Sequence, residues 1–142
     1  MIRKNIKKIL VPLDGSKNSL RGLDEAIYLA RQCQAIITGL YVIPITKPIT
    51  DSQISYLEKY LLNNAIKFMS KAKKHAAQNG ILFDDAIIYG HEGPKIINYA
   101  NNKSFDIIVL GSRGMGSLKE VFFGSTSNYV LHKSKIPVLI VK

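Results

Sequence analysis

The chain has 142 residues, 46% of them hydrophobic, and a formal net charge of +10, enough for one compact core and too little for two domains of ordinary size. Its single cysteine, Cys33, excludes an internal disulfide and, with no second thiol or histidine beside it, reads as a packed, inert thiol rather than a metal ligand. The positive charge favours encounters with anions, whether nucleotides, nucleic acids or acidic lipid surfaces, without choosing among them.

The first eight residues are basic, but only Ile9-Leu10-Val11 follows before Pro12, too short an apolar run for a signal peptide or a membrane span. A cytoplasmic protein with no membrane partner is expected. Lys8 to Leu13 reads as a strand, ended by the turn cluster Asp14-Gly15-Ser16. Leu20, Leu23, Ala26, Ile27 and Ala30 then recur at helical spacing and predict a helix from about Asn18 to Arg31 with one buried face. Ala35 to Val42 is almost continuously apolar and rich in β-branched and aromatic residues, as in a strand covered on both sides.

Ile43 to Asp51 carries two prolines and reads as a loop. Beyond it Ile54, Leu57, Leu61, Ala65, Phe68, Ala72 and Ala76 step by threes and fours along a long helix that Asn79-Gly80 ends. Lys67, Lys71 and Lys74 lie off that stripe, so a solvated face accounts for them. Asp84 to Tyr89 is a third strand, Gly90 to Gly93 a turn, Pro94 a helix start and Lys95 to Asn101 a short helix. Asp106 to Leu110, Ser125 to Ser134 and Ile136 to Val141 supply strand, helix and strand. Strands and helices that alternate throughout, with strands too apolar to face water, predict a single α/β domain over residues 1–142: an open, parallel, Rossmann-like sheet with helices on both faces and right-handed crossovers.

Ligands of such sheets bind beyond the carboxyl ends of the strands, where the strand order reverses. Two segments stand at strand ends with suitable chemistry. Gly111-Ser112-Arg113-Gly114-Met115-Gly116-Ser117, with Gly124-Ser125-Thr126-Ser127 opening the next helix, combines backbone freedom, a helix N-terminus, hydroxyl donors and one guanidinium, as a phosphate requires. Turn-forming glycines and a capping Ser125 account for the same composition equally well. The segment is neither a Walker A loop, since no Gly-Lys-Ser/Thr follows, nor a dinucleotide fingerprint, whose glycine spacing differs. Asp14 is the second candidate: its carboxylate, just past the first strand, suits an adenine amine or a ribose hydroxyl, or else caps the following helix.

The spacing Gly111-x2-Gly114-x9-Gly124-Ser125, with Ile9 to Ser16 at the start and Ile136 to Val141 at the end, resembles the universal stress protein family over essentially the whole chain. The resemblance implies strand order 3-2-1-4-5 and a bound ATP, with or without Mg2+. Pro12, Asp14 and Val42 would border the adenine, while Gly111, Arg113, Gly114, Gly124, Ser125 and Thr126 would hold ribose and phosphates. It also implies a homodimer through the C-terminal edge strand and a regulatory role in stress response.

Hydrolysis of ATP is expected to be weak or absent, because no histidine or paired carboxylate converges on the loop, and His75, His91 and His132 lie in separate elements. The competing readings are a slow ATPase or nucleotide-transferring enzyme, and a basic nucleic-acid-binding module. The second lacks a helix-turn-helix, a stacking platform or an RNA-binding signature.

Overall fold

The computed structural model describes residues 5–45, 52–112 and 124–142, of which 52–55 are described by backbone alone. In chain order the elements are β1 (Lys8–Leu13), α1 (Lys17–Cys33), β2 (Ile36–Ile43), α2 (Ser52–Gln78), β3 (Phe83–Tyr89), α3 (Glu92–Asn102), β4 (Ile107–Gly111), α4 (Ser125–Lys133) and β5 (Val138–Val141). The strands form one parallel sheet in the order β3-β2-β1-β4-β5. The Rossmann-like α/β fold and strand order expected from the sequence are therefore the ones observed.

The period-2 alternation of β1 divides the core in two. Ile9, Val11 and Leu13 point to one face, where Leu23, Ala26, Ile27 and Ala30 of α1 and Met69, Ala72 and Ala76 of α2 cover them. Leu10 points to the other, joining Leu40, Val42, Ile108 and Leu110 under Ile96 and Ala100 of α3 and Val130 of α4. Each fully buried leucine or isoleucine contributes about 2 kcal/mol relative to exposure.

α1 starts where Ser16, in extended backbone, accepts a hydrogen bond from the Ser19 N–H at 3.1 Å. A cap of this kind contributes about 1 kcal/mol. Leu20, expected on the buried face, is 40% exposed; Ser19 and Gly22 are buried instead, because the first turn of α1 lies against the backbone of β4 and admits only small residues. On α2, Ala65, Ala72 and Ala76 are buried as expected but Leu57 is half exposed, while Lys67, Lys71 and Lys74 face solvent.

Several element ends differ from the sequence expectation. α3 begins at Glu92 rather than at Pro94, its first helical bond running from the Lys95 N–H to the His91 carbonyl. Pro94 sits inside the first turn, where a missing N–H breaks no helical bond. Asp106 precedes β4, its carboxylate accepting from the N–H groups of Lys7 and Lys8 at 2.8 and 2.9 Å. β2 continues through Ile43, and β5 opens at Val138, after Pro137.

Candidate functional site

The crevice at the carboxyl edge of the sheet begins with a proline. The Lys7 carbonyl accepts from Ile36, towards β2, and the Lys8 carbonyl accepts from Asp106, towards β4. Backbone polar groups alternate sides along a strand, so Leu10 and Pro12 also face β4. Pairing of β1 with β2 runs on to Leu13 opposite Tyr41, whereas pairing with β4 stops at Leu10 opposite Ile108. Pro12, which has no N–H to donate, stands where the two strands part. This is also the switch point, since the chain builds the sheet outward from β1 in one direction and from β4 in the other.

The crevice between them is lined by Pro12, Asp14, Val42, Gly111, Gly124 and Thr126, together with Leu40, Glu92, Ile96 and Ser127. Six of the nine residues singled out in the sequence therefore meet at one place. A seventh, Ser125, is exposed and borders an adjoining shallow hollow with Pro44, His91 and Tyr129. Arg113 and Gly114 lie outside the described residues.

Asp14 does not cap α1; Ser16 does. The Asp14 Oδ1 instead accepts from the Ser16 N–H at 2.9 Å, closing the turn in which Gly15 adopts φ +86°. The carboxylate stays exposed at the crevice mouth. The Tyr41 hydroxyl donates to the Asp14 carbonyl at 3.3 Å. Partial burial pushes the Tyr41 phenol above its usual range, and the negative charges of Asp14 and then Glu92 push it further.

Across the crevice α4 opens at Gly124, in extended backbone. Ser127 is buried and donates to the Gly111 carbonyl at 3.2 Å, tying the helix start to the end of β4. The Thr126 hydroxyl donates to Glu92 Oε2, also at 3.2 Å. Gly111 has a packing reason of its own, since a Cβ there would stand 2.1 Å from the Asn18 carbonyl oxygen. Glu92 is a charged lining residue that sequence reasoning passed over. It lies three residues beyond the end of β3, so the strand-end rule that picked out Asp14 applies to it too.

What decides the relationship of this fold to others is that the sequence pattern of the universal stress protein family (Usp) matches residues 5–142. The chain belongs to the universal stress protein family. It is 34% identical to the universal stress protein YxiE of Bacillus subtilis, over 95% of this chain and 98% of that one. In structure it is similar to the universal stress protein UspA of Lactobacillus plantarum, with a TM-score of 0.85 and 28% identity over 99% of this chain and all of that one. The universal stress protein of Archaeoglobus fulgidus, solved in complex with dAMP, shares the fold at a TM-score of 0.75 and 19% identity, over 98% of this chain and all of that one. Among the described residues of this family member no helix is long and apolar enough to cross a membrane.

Proposed function

We propose that this chain is an adenine-nucleotide-binding regulatory protein of the cytoplasm, with ATP as the ligand, acting in stress response by binding rather than by rapid turnover. One observation carries the reading: Asp14, Gly111, Gly124 and Thr126, far apart in sequence, line a single crevice at the switch point of the sheet.

The donor set fits the ligand. Leu40, Val42 and Ile96 offer an apolar bed for a purine, and Asp14 offers carboxylate oxygens for an amine or a ribose hydroxyl. The N-terminus of α4 offers N–H groups where phosphates would lie, while the Thr126 and Ser127 hydroxyls, turned to Glu92 and the Gly111 carbonyl, hold that end in place. That an Archaeoglobus fulgidus relative was solved with dAMP supports the choice of base. Hydrolysis is weak or absent in this reading; Mg2+, where it accompanies ATP, would shield phosphate charge. Homodimerisation through the β5 edge belongs to the same proposal.

Calorimetric titration with ATP tests it, using the wild type and Asp14→Ala, an exposed position whose loss leaves the fold in place. Saturable wild-type binding that the variant weakens several-fold supports the site. Failure of nucleotide-free wild-type protein to bind ATP removes the reading.

A further inference from the structure

The Thr126–Glu92 hydrogen bond puts a negative charge where the nucleotide reading needs a positive field. Thr126 is the second residue of α4, whose first N–H groups have no partner within the helix and carry the positive end of its dipole. Gly124, at the N-cap, has no side chain with which to satisfy them. Glu92 comes to that end from another element: it lies in the first turn of α3, 34 residues away, and its Oε2 accepts the Thr126 hydroxyl proton at 3.2 Å. Its carboxylate therefore lies between two helix N-termini, both of which favour it. Glu92 and Thr126 also line both the crevice and the shallow hollow beside it, so their contact forms the partition between the two.

We infer that Glu92 is a specificity-determining residue that weakens the hold of the crevice on nucleotide phosphates while leaving the adenosine moiety untouched; the inference rests on the adenine-nucleotide reading above. Two effects act together. The hydroxyl proton of Thr126 is directed at Glu92 and not at a ligand, and any phosphate drawn to α4 meets a like charge in a partly desolvated crevice. Adenosine carries no formal charge, so the carboxylate does not repel it, although Ile96 of the apolar bed lies one turn along α3 from Glu92. The site thus discriminates by ligand charge, adenosine and monoesters gaining on the triphosphate.

The test compares Glu92→Gln with wild type, using ATP and adenosine as ligands in calorimetry without divalent cations, and thermal unfolding to establish that both proteins are folded. Glutamine keeps one oxygen acceptor for Thr126, removes the charge and puts an NH2 donor in place of the second oxygen. ATP affinity is expected to rise roughly ten-fold or more, as removal of a like charge a few ångströms away implies at an effective dielectric constant near 20. Adenosine affinity should stay within about two-fold. An equal change for both ligands, or a weaker hold on ATP, overturns the role of Glu92 and leaves the nucleotide reading standing. If neither protein binds either ligand, both inferences fall together.

Discussion

The carbonyl oxygen of Asn18 occupies the space that a side chain at position 111 would need: a Cβ on Gly111 would stand 2.1 Å from it. The approach is reciprocal, because a Cβ on Gly22 would stand 2.9 Å from the Gly111 N. The end of β4 and the first turns of α1 are thus in backbone contact, and this contact sets the distance between Asp14 at the foot of α1 and the start of the glycine loop. Gly111→Ala is expected to destabilise the fold by about 3 kcal/mol, the upper part of the range for overpacking, since backbone on the opposing side has little room to yield. Urea denaturation measures this; a loss under about 1 kcal/mol would show that α1 shifts freely.

Asp106 gives a prediction at the opposite edge of the sheet. Its Oδ2 accepts from two successive backbone N–H groups, those of Lys7 and Lys8, and so fixes the entry of β1 beside β4. Asp106→Ala should cost about 2 kcal/mol, in the range of a hydrogen bond to a charged acceptor. Nucleotide affinity in the folded variant should be unchanged, because the crevice lies at the other end of the strands. A large loss of affinity with little loss of stability would reverse that assignment.

How far the sequence disclosed this arrangement follows from the range of each signal. The alternation Ile9, Leu10, Val11 and the periodic alanines of α2 are local patterns that burial imposes directly, so the sheet and its covering helices were readable. Asp14, Gly111 and Gly124 were readable as residues of the crevice because each stands at the end of a strand or the start of a helix, with a side chain or a lack of one that suits such a place. Glu92 was not, because Pro94 suggested a later helix start, and proline anywhere in a first turn leaves the start uncertain by a residue or two. Leu20 misled for the converse reason: its spacing fits the buried stripe, but the backbone of β4 lies too close for leucine there. That contact joins residues some ninety positions apart and has no local signature.

Tyr41 makes the stability of the fold sensitive to alkaline pH. Burial first, then Asp14 and Glu92, keep the folded phenol neutral above the value near 10 at which the unfolded chain ionises. The stabilising contribution of the neutral phenol is therefore complete below about pH 10 and is lost as pH rises through the raised folded value. In urea unfolding between pH 8 and 11, the stability advantage of wild type over Tyr41→Phe should shrink as pH increases. Tyr89, also raised, is present in both proteins and cancels in the difference. Parallel pH profiles for the two proteins would show that Tyr41 titrates normally.

The two edges of the sheet differ in a way that predicts how copies of the chain associate. β3, at one edge, carries Asp84 and Asp85, both exposed, and charge on an edge strand opposes pairing with another chain. β5, at the other, is Val138-Leu139-Ile140-Val141 with no charge, and it pairs with β4 on one side only. Val138, Ile140 and Val141 pack on the two core clusters, which leaves Leu139, 38% exposed, as the residue that core packing does not account for. A two-fold axis beside β5 would pair the strand with its copy and cover both open edges at once. Light scattering is expected to show a dimer at micromolar concentration for wild type. Leu139→Lys should shift it towards monomer while leaving thermal unfolding of the subunit within a few degrees, because the side chain takes no part in the core. A variant that remains fully dimeric would place the interface elsewhere, and a monomeric wild type would show that the bare edge of β5 does not drive association at this concentration.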